Sequence, residues 1–212
     1  MSFHSNSRRY FLGTTQGGFG LVELMVSISI MMLLSAVILT RHTAFSGAVL
    51  LRNEAYDVAF AIRKAQLLAV SGTNSGAATS TQQYGVYFNS AAGSNQTYFI
   101  FHDINANGQW DTGVDTQVGL LERLDSRFVI RRISNIAGNS ITGAGNTDYS
   151  ITFIRPNFDA KFNDYVDTAY EAGPAYIDIS TIAAATTFSD HDLGSVRRVL
   201  VTTTGQISVV GF

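Results

Sequence analysis

Cysteine is absent from the 212 residues, which excludes disulfides and thiolate metal centres. That absence neither requires nor forbids an oxidising compartment. Proline occurs only twice, at Pro156 and Pro174, so none interrupts residues 19–72. Charge is scarce as well. Asp, Glu, Lys and Arg make up 14% of the chain, against about 25% in an ordinary soluble domain. The net charge is −2, and loss of a leader carrying Arg8 and Arg9 but no acidic residue would move it to −4. A mildly acidic product has no general electrostatic pull toward nucleic acid or anionic lipid. What the chain does hold is apolar: 46% of its residues, enough for a sizeable core. Its length suits one domain plus an anchor. Nineteen glycines, with many Ser, Thr and Asn, suggest strands joined by tight turns in the C-terminal two thirds.

Much of the charge deficit falls near the N-terminus. Residues 19–39 are almost wholly apolar, and Glu23 is their single charge. At about 1.5 Å per residue such a helix is roughly 31 Å long, which matches a hydrocarbon core of about 30 Å. Arg8 and Arg9 precede it, and the positive-inside tendency places that end in the cytoplasm. A secretory signal peptide would have a shorter apolar run closed by an Ala-x-Ala site, which is missing here. Ser7-Arg8-Arg9-Tyr10-Phe11-Leu12 looks like a twin-arginine signal. The segment after it is more hydrophobic than that route uses, and Glu23 would be unexplained. A plain signal anchor has no use for the carboxylate either. A charge in the bilayer is costly unless it is paired, so Glu23 implies a partner or a function.

Helical periodicity continues past residue 40. Ala44, Ala48, Leu51, Ala55, Val58, Ile62, Ala65 and Ala69 recur at alternating steps of four and three, one apolar stripe on a helix. Arg52, Glu54, Arg63 and Lys64 fall off the stripe. Gly72 and the small polar residues after it make a stop. The stripe is read as core packing against a sheet. One helix of roughly 50 residues follows at the helical rise already used. Beyond the polar connection 73–83, strands are expected at Tyr84–Phe88, Thr97–Phe101, Val118–Leu124, Phe128–Ile133, Tyr149–Ile154, Tyr176–Ile179, Val196–Thr203 and Gln206–Val210. A turn is expected at Thr204-Gly205. Residues 155–195 look irregular. The fold class is α+β, a long helix backed by antiparallel sheet.

Gly18-Phe19-Gly20-Leu21-Val22-Glu23 resembles the prepilin signature Gly-Phe-Thr-Leu-x-Glu, with Gly20 in the place of Thr. The resemblance implies a cut between Gly18 and Phe19, methylation of the new Phe19 amine, and pairing of Glu23 with a neighbouring subunit's amine in a filament. The order of later segments adds to it. Tyr84-Gly85-Val86-Tyr87-Phe88, Ile100 to Gly108, Ile151-Thr152-Phe153 and Arg197-Arg198-Val199-Leu200-Val201 together look like the minor pseudopilins of the GspH/FimT family. That resemblance implies a pilin-like shape: leader 1–18, transmembrane half-helix 19–40, amphipathic half-helix 41–72 and periplasmic β-rich head 73–212.

Asp103, Asn105, Asn107, Gly108, Gln109 and Asp111 resemble the first nine positions of an EF-hand-type loop. Alternate Asp and Asn oxygens would face one centre, Gly108 would make the sharp turn, and Gln109 would offer its carbonyl. The twelfth position, normally a bidentate Glu, is Val114, and Asp115 stands one place later as a substitute. Two readings stand side by side: weak calcium binding, or a turn held by Asx hydrogen bonds. Arg127, Arg131, Arg132, Arg197 and Arg198 are the basic clusters, but strand neighbours face opposite ways, so neither is a simple patch. Some FimT-type members resemble DNA-uptake pilins with a Gly-Arg-x-Arg near the C-terminus. Gly205-Gln206-Ile207-Ser208 lacks both arginines, and nucleic acid is not an expected partner. Asp190-His191-Asp192 and His102-Asp103 read as solvated loop residues. With no paired nucleophile and base, no phosphate-cradling loop and no zinc spacing, an enzyme is not expected.

The resemblance therefore points to a minor pseudopilin of a type II secretion system. Its implied partners are a prepilin peptidase, other major and minor pseudopilins and an inner-membrane assembly platform. Its implied path runs from the inner membrane, N-terminus cytoplasmic and head periplasmic, into a pseudopilus. A minor type IV pilin for pilus initiation or DNA uptake is the first alternative. A membrane-anchored or exported periplasmic binding module, with no cut at Gly18 and no role for Glu23, is the second.

Overall fold

The computed structural model describes residues 18, 20–71, 83–135, 147–154, 158–163, 174–182 and 195–210. One helix, α1 (Leu21–Ser71), precedes nine strands: β1 (Gln83–Asn89), β2 (Thr97–Asp103), β3 (Thr116–Arg123), β4 (Phe128–Asn135), β5 (Asp148–Ile154), β6 (Ala160–Asn163), β7 (Ala175–Thr181), β8 (Val196–Val201) and β9 (Ile207–Val210). The chain divides into two compact units, Met1–Ala44 and Phe45–Phe212.

In the first unit α1 opens as Leu24 N–H donates to the Gly20 carbonyl at 3.1 Å. Side chains from Leu21 to Leu39 are all exposed, and this stretch is long and apolar enough to cross a membrane. Two of its serine hydroxyls bond within the helix. Ser27 Oγ donates to the Glu23 carbonyl at 2.7 Å and Ser29 Oγ to the Met25 carbonyl at 2.8 Å.

In the second unit the apolar stripe of α1 meets the sheets. Leu51, Ala55, Val58, Ile62, Ala65 and Ala69 are buried, while Ala48 is half-buried and the Ala44 side chain lies outside the described residues. Alanines at three of those buried positions let the strands approach the helix closely. The strands form two antiparallel sheets where a single sheet was expected: β3-β2-β1-β5-β6 and β4-β7-β8-β9. Tyr84, Val86, Phe88, Ile100, Tyr149, Ile151 and Phe153 from the first sheet join one core with Phe128, Ile130, Ile133, Ile177, Ile179, Val199 and Val201 from the second.

Two links tie the layers together. The β1–β2 turn reaches the second sheet, because Ile130 N–H donates to the Asn95 carbonyl at 2.7 Å and Gln96 Nε2 to the Phe128 carbonyl at 3.1 Å. Buried Gln66 on α1 donates through Nε2 to the carbonyls of Phe158 and Gly205, both at 3.0 Å. Eight strands fall where the sequence places them, with ends shifted by up to two residues. The ninth, β6, which the sequence reading missed, lies in the span expected to be irregular and pairs with β5.

Candidate functional site

At the N-terminus, Gly18 and Gly20 are exposed and Glu23 is exposed in the first turn of α1; Phe19 lies outside the described residues, as do Arg8 and Arg9. A carboxylate in the first turn faces the positive end of the helix dipole, which suits an anion there. Among the described residues Glu23 has no ion-pair partner.

The second candidate is the β2–β3 connection from Asp103 to Asp115. Phe99 and Phe101 on β2 point to the sheet face opposite the helix, and Trp110 packs edge-on against both, at ring-centre distances of 5.0 and 5.7 Å. This anchor folds the loop back over the sheet. Gly108, at φ +86°, makes the turn its position predicts, and Ala106 also takes a positive φ of 59°. Asp103 is 1% exposed, and its Oδ2 accepts the Gly108 N–H at 2.7 Å. Asp115 is buried too, and it uses both oxygens on the backbone: Oδ1 accepts from Ile104 N–H at 2.9 Å and Oδ2 from Asp111 N–H at 2.8 Å. Asn105 and Asn107 each donate through Nδ2 to Asp111 Oδ2, at 2.7 and 2.6 Å. Their own Oδ1 atoms accept from the next-but-one amides, Asn107 and Gln109, which are Asx-type bonds. Gln109 Nε2 donates to Asn163 Oδ1 at 3.0 Å and so fastens the loop to β6.

The spacing does gather Asn105, Asn107 and Asp111, but through amide N–H groups that meet at one carboxylate oxygen rather than through converging oxygens. It could not identify Gln83, which stands opposite Asp103 in the β1–β2 register. Gln83 is 1% exposed and donates through Nε2 to Thr152 Oγ1 at 2.8 Å. Burial pushes the Asp103 carboxyl above its ordinary value; the Gly108 amide opposes the rise and the Asp115 charge adds to it. Among the described residues, no three or more of His, Asp and Glu are gathered to hold a metal by themselves. Any cation here would lean on amide oxygens.

His102 faces away from this loop and stacks on Tyr84, with ring centres 4.8 Å apart. Asp190-His191-Asp192 lies outside the described residues. Two of the arginines have internal work. A register shift between Ile130 and Arg132 turns Arg132 toward Asp178 on β7, and Arg198 on β8 stands on the other side. Arg132 Nε lies 2.8 Å and Arg198 Nε 2.6 Å from the Asp178 carboxylate, which is 1% exposed. Arg198 also sits over the Tyr176 ring. A buried carboxylate flanked by two guanidiniums holds three strands together; it is not a phosphate-facing patch. Arg127 pairs with Asp125 in the turn before β4, and that pairing holds the Asp125 carboxyl down at about 2.

Residues 14–39 match the family model of the prokaryotic N-terminal methylation motif. The match supports a type IV pilin-like protein, a substrate of prepilin peptidase, and its kind are structural subunits rather than enzymes. No curated protein and no solved structure gives a significant match to the chain.

Proposed function

We propose that this chain is a minor pseudopilin of the GspH/FimT type, assembled into the periplasmic pseudopilus of a type II secretion system. The observation that carries the reading is the methylation motif at residues 14–39, coincident with an exposed apolar helix whose one charge is Glu23. In this reading residues 1–18 are the leader, the cut falls between Gly18 and Phe19, and the Phe19 amine is methylated. Residues 19–40 anchor the precursor in the inner membrane, residues 41–72 carry the amphipathic half-helix, and residues 73–212 form the periplasmic head. After extraction from the membrane, Glu23 pairs with the Phe19 amine of a neighbouring subunit. The pairing removes the cost of an isolated charge among apolar helices.

The outer face of α1 supports assembly. Val49, Tyr56, Phe60 and Leu67 recur at spacings of seven, four and seven, on the side opposite the buried stripe. Phe60 is 69% and Leu67 65% exposed. A helix showing an apolar stripe on each face is built to meet the sheets on one side and other subunits on the other. Further partners in this reading are the other major and minor pseudopilins and the inner-membrane platform.

The test is the N-terminus of the membrane-fraction product, made with and without a prepilin peptidase. A peptidase-dependent start at Phe19 is expected. An intact leader, or a cut elsewhere, would overturn the filament reading and leave an anchored or exported β-rich domain. Deletion in the source cell then separates machines: loss of exoprotein release fits a pseudopilus, whereas loss of pili or of DNA uptake fits a minor type IV pilin.

A further inference from the structure

Three carboxylates, Asp103, Asp111 and Asp115, lie within thirteen consecutive residues. Asp103 is 1% and Asp115 8% exposed, and among the described residues no Lys, Arg or His forms an ion pair with any of the three. Backbone amides compensate part of that charge, but they are used on particular atoms. Both Asp115 oxygens and Asp103 Oδ2 are taken. Asp103 Oδ1 is buried with no hydrogen-bond partner among the described residues, and so is Gln83 Oε1. The two residues are direct cross-strand partners, so their side chains share one face of the sheet. The loop lies over that face, and a Cβ on Gly108 would stand 3.7 Å from Gln83 Nε2. Buried acceptors left without donors are costly, and buried carboxylates are ordinarily paired or coordinate a metal.

We propose that the Asp103–Asp115 loop is a calcium site with Asp103 Oδ1 as its inner carboxylate ligand. Asp111 supplies the outer carboxylate and Gln83 an amide oxygen; Asn105 and Asn107, whose Nδ2 groups donate to Asp111 in this structure, turn their amides over to add their oxygens when the ion binds. Asp115 is not a ligand here: it closes the loop by holding the Ile104 and Asp111 amides. The chemistry selects the cation. Cysteine is absent and His102 is turned away onto Tyr84, which removes the soft and borderline ligands that zinc prefers. A set of neutral amide oxygens with few carboxylates suits a large cation of flexible geometry, whereas magnesium demands a stricter octahedron. Without a bidentate Glu at the twelfth position, affinity should lie near 10⁻⁴–10⁻³ M, on the order of extracellular calcium modules.

Trp110 makes the test direct, because it is the chain's single tryptophan and sits inside the loop. Terbium luminescence excited through tryptophan is recorded on the full-length chain in detergent. Expected is sensitised emission that calcium reverses with a midpoint of about 10⁻⁴–10⁻³ M, while magnesium at equal concentration does not. Asp103→Asn should weaken calcium competition on the order of tenfold or more. Because that residue is buried, Asp111→Asn serves as a second variant at a more exposed position, and each variant's thermal melt confirms folding. Absence of sensitised emission, emission that calcium leaves unchanged, or equal calcium competition in both folded variants would each overturn the site. The last result would mean that surface carboxylates merely collect the ion.

Discussion

Gly205 shows how much one hydrogen atom decides. It takes φ +75° in the β8–β9 turn, and a Cβ there would fall 1.9 Å from the Phe158 carbonyl oxygen and 2.5 Å from Gln66 Nε2. The side-chain amide of Gln66 bonds both carbonyls in the same spot. Gly205→Ala therefore adds a left-handed strain of about 1–3 kcal/mol and an overpacking cost of similar size. A combined loss of roughly 2–6 kcal/mol is expected in chemical denaturation, with an unchanged denaturant slope. Glu54 gives a pH-dependent prediction. Its half-buried carboxylate accepts the Asp125 N–H at 3.3 Å, yet burial first, then the charges of Asp57 and Asp125, raise its pKa. A raised folded value means that the fold favours the protonated form. The related stability is complete below the unfolded value of about 4.3 and is lost as pH rises through the folded one. Glu54→Gln keeps an acceptor for the amide and removes the titration. It should match the parent in acid and melt higher than it at neutral pH. A melting difference that stayed constant across that range would contradict the assignment.

Among the elements, α1 was the most legible: a long apolar run marks its first half, and a 3.6-residue stripe from Ala44 to Ala69 marks its second. The buried stripe was read in advance, and the exposed one was not. Val49, Tyr56, Phe60 and Leu67 are spaced more sparsely, between charges, and only the burial of the opposite face shows that they are left over. Most strands were legible from their aromatic and β-branched runs. The four residues of β6 (Ala-Lys-Phe-Asn) have no such run, and their strand exists because β5 offers an edge for them. The division into two sheets was illegible for a similar reason: alternation along a strand says which side is buried, not which neighbour it pairs with. The loop was half readable. Spacing marks Asp103, Asn105, Asn107 and Asp111, whereas Gln83 enters only through the β1–β2 register. Phe60→Ser tests the outer stripe. Phe60 is exposed, so its loss should change the melting of the isolated chain by no more than about 0.5 kcal/mol. Its incorporation into filaments should fall clearly, as read by sheared-filament fractionation. Equal incorporation would assign the stripe no part in assembly.

At the scale of the whole molecule, the proposed pseudopilin role has one end of the chain function in two environments, and the role of Glu23 belongs to that proposal. Residues 21–39 expose only apolar and small side chains besides Glu23, which suits lipid before assembly and other helices afterwards. In both settings the carboxylate is the one charge of this stretch, whereas Ser27 and Ser29 close on backbone carbonyls. In the proposed role that charge acts through a partner, and the free amine that a cut before Phe19 would create has the right sign. Glu23→Ala should therefore separate two steps that the parent performs in sequence. Cleavage reads the residues around Gly18, so the variant should still start at Phe19 and stay in the membrane fraction. Assembly needs the pairing, so the variant should be depleted from filaments by about tenfold or more, the effect of losing roughly 1.4 kcal/mol or more per contact. Glu23→Asp keeps the charge on a shorter arm and should recover part of the loss, which a purely steric role for the side chain would not predict. Were the alanine variant to enter filaments at the parental level, Glu23 would have no assembly role. The methylation motif would then mark processing alone.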